Sequence, residues 1–152
     1  MVSSKTVIGS HLSSCWYSFL LSGLIVSIKK STDIVISGKD EWKDVDELLF
    51  TSLAKALSKV KKQYEFFNGP FKDVGYAVQR TKPGEYYHWH IDSGSHQFSD
   101  RQLVAIWYLN DAEGPGGETE FLNQNIKVKP ETGKLILFPP FWTHEHLSLI
   151  HI

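Results

Sequence analysis

The amino-acid sequence predicts a mainly β protein, in which one N-terminal helix precedes a compact antiparallel sandwich or barrel. Two observations lead to this fold class. An apolar stripe at helical spacing runs through residues 41–66. After Pro70 the pattern changes to short apolar or alternating segments, separated by turn residues and with no helical pattern between them. Strands this short, without intervening helices, indicate an antiparallel β-roll.

Length and composition are those of a single globular domain. The chain has 152 residues, which suffices for one hydrophobic core and is too few for two. Lysine and arginine (16) nearly balance aspartate and glutamate (17), and no basic patch stands out, so we expect no nucleic-acid binding. We predict one domain over residues 1–146, with a helical part at 1–70 and a β-roll at 71–146.

The N-terminal forty residues carry the weakest pattern of the chain. Their most hydrophobic segment, residues 15–28, is too short and too often interrupted by serine for a membrane span. We expect it to form a buried helix or strand, and we expect no association with a membrane. The single cysteine, Cys15, excludes an internal disulfide and a cysteine-rich zinc site, and it fits a cytoplasmic location.

The predicted helix over residues 41–66 has one apolar face. Its stripe recurs at spacings of three and four and consists of Val45, Leu49, Leu53, Leu57, Val60 and Tyr64. The sequence Asn68-Gly69-Pro70 follows, in which glycine can take a left-handed cap and proline cannot continue a helix. We expect this face to pack on the sheet of the same domain; the less common alternative is a helix that binds a partner.

The β-roll is predicted from alternating or continuous apolar segments that end in glycine, proline, asparagine or aspartate. The predicted strands are 75–81, 86–91, 102–109, 118–122, 126–128 and 134–138.

The stretch HWHID contains three metal-capable side chains, His88, His90 and Asp92, at every second position. In a regular strand all three share one face. Two of them and one further ligand would form a two-histidine, one-carboxylate site, which leaves coordination positions open and suits Fe(II) better than a closed structural zinc site. The candidate third ligand is His144 or His146, behind the last predicted strand. On spacing alone, a solvated polar strand face explains HWHID equally well.

Four stretches, in this order and spacing, make the chain resemble the 2-oxoglutarate- and Fe(II)-dependent dioxygenases, in particular their prolyl 4-hydroxylase-like branch. They are YHWHID (87–92), RQLVAIWYLND (101–111), GGETEF (116–121) and KPETGKLILFP (129–139). The resemblance runs from about residue 74 to residue 146. It implies a double-stranded β-helix, which is a jelly roll of the cupin type, and so agrees with the strand pattern.

The resemblance also implies roles for individual residues. His90 and Asp92 would be iron ligands, and either His144 or His146 would be the third, with the spacing of the family slightly favouring His146. Tyr87, three residues before the first ligand, and Thr119 would contact 2-oxoglutarate, and Tyr87 is the expected catalytic side chain. The implied cofactor is Fe(II), with 2-oxoglutarate and O2 as co-substrates and ascorbate as a further candidate. His88 would be a neighbour of the site.

The implied reaction is hydroxylation of a prolyl or related side chain, in a peptide or a small molecule. One alternative is a jelly-roll binding module without catalysis. Another is a zinc or other metal hydrolase of the cupin type, which we disfavour because no candidate general base accompanies the histidines and the aspartate. The oligomeric state is not predicted.

The final residues LSLIHI (147–152) look foreign to the family. Members place a basic residue about ten positions beyond the last histidine, where it pairs with the far carboxylate of 2-oxoglutarate. LSLIHI is what CTGTCTCTTATACACATC, the end of a transposon-type sequencing adaptor, encodes in frame. Our hypothesis is that 147–152 is non-native read-through, in which case the chain as given would hold 2-oxoglutarate poorly and be inactive.

Overall fold

The computed structural model of the protein describes residues 5–9, 19–21, 24–26, 28–94, 98–112 and 116–149. In these ranges the helix α1 spans Lys43–Gln63 and follows a short 3-10 turn at Asp40–Trp42. The strands are β1 (Lys5–Gly9), β2 (Phe19–Leu21), β3 (Leu24–Val26), β4 (Lys29–Lys30), β5 (Thr32–Val35), β6 (Ala77–Thr81), β7 (Tyr86–His90), β8 (Val104–Tyr108), β9 (Thr119–Phe121), β10 (Ile126–Val128), β11 (Leu135–Phe138) and β12 (His146–Leu149).

Ten of the described strands form two five-stranded sheets. The first sheet has the order β11-β8-β1-β6-β5, and the second has the order β10-β9-β12-β7-β4. All their pairings are antiparallel. The antiparallel β-roll predicted after Pro70 is therefore confirmed, and each predicted strand there has an observed counterpart.

The N-terminal part is not the helical segment that we predicted for residues 1–70. Strands β1 to β5 occupy the described residues between 5 and 35, and β1 lies in the middle of the first sheet, paired with β6 and β8. Of the apolar segment 15–28, the structure describes 19–21, 24–26 and 28; the first two ranges form the hairpin β2–β3. Cys15 and the burial of the hairpin side chains lie outside the described residues. We predicted a helical part here because the hydrophobic pattern of residues 1–40 does not show the alternation of a strand, and β1 forms only by pairing with strands far along the chain.

Helix α1 packs on the outer face of the first sheet, as its apolar stripe predicted. Leu49, with 6% of its surface exposed, is the buried helix residue of this core, and Val45 and Leu53 pack against the same cluster. The helix ends at Gln63, three residues before the predicted end, and Tyr64 is extended and 56% exposed. Tyr64, the last residue of the predicted stripe, therefore lies beyond the helix and does not pack on the sheet.

Alternation along β8 divides the hydrophobic core into two layers. Ala105 and Trp107 face α1, in a cluster with Ile8, Ile36 and Tyr76. Val104 belongs instead to the cluster between the two sheets, where it packs with Phe121 and Phe138. Because β8 and β11 contribute residues to both clusters, their sequences are nearly continuously apolar.

None of the helices in the described ranges combines the length and the apolar character that a membrane crossing needs. Leu147 and Ser148, the described buried residues of the segment 147–152, lie in β12 between β7 and β9.

Candidate metal centre

Three potential metal ligands meet where the second sheet faces the interior of the roll. His90 ends β7, Asp92 follows two residues later, and His146 begins β12. His146 lies directly opposite His90 in the pairing of β12 with β7. One potential ligand atom of each residue lies within 4.8 Å of the others. Four strands, β8 to β11, separate β7 from β12 in the sequence and bring the two histidines together.

The three side chains are arranged with both imidazoles facing one carboxylate. Nε2 of His90 lies 3.6 Å from Oδ1 of Asp92, and Nε2 of His146 lies 3.4 Å from Oδ2. Asp92 and His146 are almost fully buried, with 2% and 4% of their surfaces exposed. These separations are longer than an N–H···O hydrogen bond of about 2.7–3.2 Å. Two ligands held about 2.1 Å from one ion, at right angles or somewhat wider, lie about 3.0–3.5 Å apart, so the spacing fits a shared cation.

Backbone carbonyls fix the tautomer of both histidines. Nδ1 of His90 donates to the carbonyl oxygen of His88 at 2.8 Å, and Nδ1 of His146 donates to that of His144 at 2.9 Å. A neutral imidazole that is protonated at Nδ1 presents the lone pair of Nε2. Both lone pairs are then directed at the carboxylate, an arrangement that a cation between them makes favourable. Such a hydrogen bond from the second ring nitrogen is the usual support of a metal-binding histidine.

The chemistry of these donors fits Fe(II). Two imidazole nitrogens and one carboxylate form the facial set that mononuclear iron oxygenases use, with the remaining positions open for co-substrates. With neutral imidazoles and an ionised Asp92, the three ligands together carry one negative charge, which leaves a divalent ion with one net positive charge to attract an anionic co-substrate.

An irregularity in β7 places Tyr87 beside the histidines. In a regular strand, residues three apart face opposite sides of the sheet. Here the register shifts between His146 and Ser148, so that His146 lies opposite His90 while Ser148 lies opposite Tyr87. The Tyr87 and His90 rings are stacked, with centroids 3.4 Å apart and planes within 10°. Tyr87 is thus in direct contact with His90, one of the expected ligands.

The same irregularity separates His88 from the site. We expected His88 to share a face with His90, but His88 is exposed and its ring contacts Tyr86, with centroids 4.4 Å apart. Ile91, the residue after His90, is also exposed, at 39%. Simple alternation fails here because β7 does not keep a period of two.

Two phenylalanines form an apolar wall against His146. The Phe121 ring lies 5.6 Å from the His146 ring, the Phe138 ring lies 4.9 Å from it, and these two phenylalanines pack edge to face. Phe121 lies opposite His146 in the pairing of β9 with β12. A wall of this kind limits access of water and strengthens the interaction between a cation and its ligands.

Thr119 is held inside the roll by a residue of the opposite sheet. The Tyr108 hydroxyl donates to Oγ1 of Thr119 at 2.7 Å, and both side chains are fully buried. Burial raises the pKa of Tyr108 to about 12, while the contact with Thr119 lowers it, so the hydroxyl is a protonated donor at neutral pH. Thr119 lies opposite Ser148, and Ser148 lies opposite Tyr87. On this face of the second sheet, these three residues form the row next to that of His146 and His90.

His144 does not join the cluster. It lies in a 3-10 turn at Trp142–His144, and its Nδ1 is 3.0 Å from the hydroxyl of Thr143. Burial lowers the pKa of His144 below its usual value. Its backbone carbonyl, rather than its ring, is what contacts His146.

Several supporting residues escaped the sequence analysis. The amides of Asn123 and Gln124 donate to the carbonyl of Thr143 at 3.2 and 2.8 Å and so hold the turn before His146. Lys29 of β4 lies 4.8 Å from the centroid of the Tyr87 ring and pairs with Asp33. The contacts of Asn123 and Gln124 with Thr143, and of Lys29 with Tyr87, join segments far apart in the sequence, so no local motif would have found them.

Known proteins that are similar to this chain include iron-dependent oxygenases, which fits the ligand cluster. A family model described as the 2OG-Fe(II) oxygenase superfamily matches residues 76–151, half of the chain. A protein of Acanthamoeba polyphaga mimivirus named "Putative prolyl 4-hydroxylase" is 39% identical over 85 residues, which cover 49% of this chain and 35% of that protein. The chain therefore spans about a third of the length of this relative.

A solved structure gives a match over most of the chain. It is the viral collagen prolyl hydroxylase of Paramecium bursaria Chlorella virus 1, in complex with 2OG. The TM-score is 0.61 at 27% identity, over 84% of this chain and 75% of that chain. The predicted fold class, a double-stranded β-helix with an N-terminal helix, is thereby confirmed. From its fold, its sequence match and its cluster of potential ligands, this chain belongs to the 2OG-Fe(II) oxygenase superfamily.

Proposed function

We propose that this protein is an Fe(II)- and 2-oxoglutarate-dependent dioxygenase that hydroxylates a prolyl or related side chain. The observation that carries the proposal is the group of His90 with the buried residues Asp92 and His146, in which two Nε2 atoms face one carboxylate. The family match and the two viral relatives support the same activity.

In this proposal His90, Asp92 and His146 hold the iron, and His146 rather than His144 is the third ligand. The carbonyls of His88 and His144 keep both imidazoles in the tautomer that binds metal. When bound, Fe(II) supplies activation of O2, coupled to oxidative decarboxylation of 2-oxoglutarate and hydroxylation of the substrate. The protein orients the co-substrate and excludes water, the latter through Phe121 and Phe138.

Tyr87 and Thr119 are the proposed contacts of 2-oxoglutarate. Both hydroxyl-bearing residues lie in the row beside the histidines, on the interior face of the second sheet. Because Tyr108 donates to Oγ1 of Thr119, the hydrogen of the Thr119 hydroxyl is directed away from Tyr108. Tyr87 is the proposed catalytic residue, since its ring is stacked on His90 and so contacts a metal ligand directly.

The substrate class rests on the relatives. One is named as a prolyl 4-hydroxylase and the other as a collagen prolyl hydroxylase, which favours a peptide over a small molecule. Ascorbate, as a reductant that restores Fe(II), and a cytoplasmic location, which the single cysteine favours, complete the proposal. That residues 147–152 are read-through stays a prediction, which resequencing of the source locus tests.

Anaerobic titration with Fe(II) and then 2-oxoglutarate tests the activity; if residues 147–152 prove to be read-through, the full-length protein is used. We expect a weak visible charge-transfer band that is lost in His90→Ala and kept in His88→Ala. The second variant is a matched control, because His88 is exposed two residues earlier on the same strand. Admission of O2 with proline-containing peptides should then release succinate. Metal binding without the band would instead indicate a binding module or a hydrolase.

A further inference from the structure

The metal ligand Asp92 lies outside the regular strands, so its position depends on contacts other than the sheet ladder. β7 ends at His90, and Asp92 lies in the segment that follows. Its backbone N–H donates to the carbonyl of Pro140 at 3.0 Å, and the N–H of Ser93 donates to the same oxygen at 3.1 Å. Pro140 is fully buried, so this contact anchors one side of the Asp92 backbone.

The other side of the Asp92 backbone is held by a cation. Nη1 of Arg101 donates to the carbonyl oxygen of Asp92 at 2.9 Å. The guanidinium lies over the Phe98 ring, with its central carbon 3.9 Å from the ring centroid. The backbone N–H of Arg101 and the side-chain hydroxyl of Ser93 both donate to the backbone carbonyl of Phe98, at 3.2 and 2.9 Å. Arg101 is therefore held in place by Phe98 while it contacts Asp92.

From this arrangement we infer that Arg101 is a positioning residue of the metal centre, which acts by fixing the backbone of Asp92. The inference rests on the proposed metal site. A guanidinium bond to a carbonyl is charge-assisted and stronger than a neutral one. With the N–H side anchored by Pro140 and the carbonyl side by Arg101, the peptide planes on both sides of the Asp92 α-carbon are fixed. This restricts the directions in which the carboxylate can approach His90 and His146.

The variant Arg101→Met tests the inference, because methionine keeps an unbranched side chain and removes the donors. The probe is Co(II), an air-stable replacement for Fe(II), with its dissociation constant measured by calorimetry and its d–d absorption recorded at saturation. Loss of an outer contact of a metal ligand costs about 10–100-fold in affinity. We expect Co(II) binding to weaken about 10-fold, the d–d spectrum to change, and Arg101→Lys, which keeps a cationic donor, to restore most of both.

Arg80→Met is the matched control, since it makes the same chemical change at an exposed position of β6. It should leave Co(II) affinity and spectrum at their wild-type values. If Arg101→Met lowers the melting temperature but leaves affinity and spectrum unchanged, Arg101 only supports the fold and the inference is wrong. If Arg101→Met does not fold, we measure Phe98→Leu instead, because this substitution removes the ring under the guanidinium. A folded Phe98→Leu variant with unchanged Co(II) affinity and spectrum then overturns the inference.

Failure of the proposed function has a different signature. In that case the wild-type protein itself binds no Co(II), or binds it equally well after Asp92→Ala. A wild-type protein that binds Co(II) through Asp92, beside an Arg101→Met variant that binds it equally well with the same spectrum, refutes only the positioning role.

Discussion

Replacing His146 by leucine should abolish tight metal binding, whereas the same replacement at His144 should not. Nε2 of His146 lies 3.4 Å from the Asp92 carboxylate, so the substitution removes a ligand atom and keeps a similar volume beside Phe121 and Phe138. Removing an outer partner of a ligand costs about 10–100-fold in affinity. Loss of the ligand itself should therefore exceed about 100-fold, or about 2.8 kcal/mol.

His144→Leu is informative because His144 supports the site through its backbone. The carbonyl that accepts from Nδ1 of His146 is present whatever the side chain, so we expect the Co(II) dissociation constant to change less than about threefold. Calorimetric titration of both variants with Co(II), after circular dichroism has shown that they are folded, makes the comparison. Weak binding by His144→Leu together with wild-type binding by His146→Leu would refute the assignment of the third ligand.

Three further predictions concern stability. Leu49→Ala should lower the free energy of unfolding in urea by about 2–5 kcal/mol, because Leu49 is buried between α1 and the first sheet. Gly117→Ala should cost about 1–3 kcal/mol, seen as a lower melting temperature, since Gly117 has φ +84° and its added Cβ would lie 3.0 Å from that of Ala112. Hydrogen bonds from Thr132 lower the pKa of Asp111 below 3.8. The stability that the Asp111 carboxylate contributes is therefore present above that pH and is lost as the pH falls through the lowered pKa. The stability advantage of wild type over Asp111→Asn, measured by urea unfolding, should shrink at acid pH.

The sequence predicted the structure best where local pattern and burial agree. Strands β8 and β11 are covered on both faces, so their apolar character alone identified them. Helix α1 was predicted because the first sheet buries one of its faces, which leaves an apolar stripe at helical spacing. β1 escaped prediction because its five residues become a strand only through pairing with β6 and β8.

At the candidate site, spacing in the sequence indicated the residues that the structure brings together, but not all of their arrangement. His90 and Asp92 were proposed as a pair, and the structure places both within one cluster with His146. The register shift of β7 leaves no mark in the sequence, although it decides that Tyr87 rather than His88 stands beside His90. The contact of Arg101 with Asp92 likewise depends on how the chain between them folds.

The central place of β1 in the first sheet has a consequence for how the chain folds during synthesis. β1 pairs with residues of β6 and β8 that follow it by roughly 70 to 100 positions, a long-range closure of the kind that slows folding. At about 5–20 residues per second, β1 leaves the ribosome roughly 5–20 s before β8 has been made. During that interval its backbone N–H and C=O groups lack their partners in the sheet, and if β6 and β8 arrive without β1 they present two open edges. Until β1 is inserted between them, β6 and β8 therefore leave the nascent chain open to edge-to-edge aggregation.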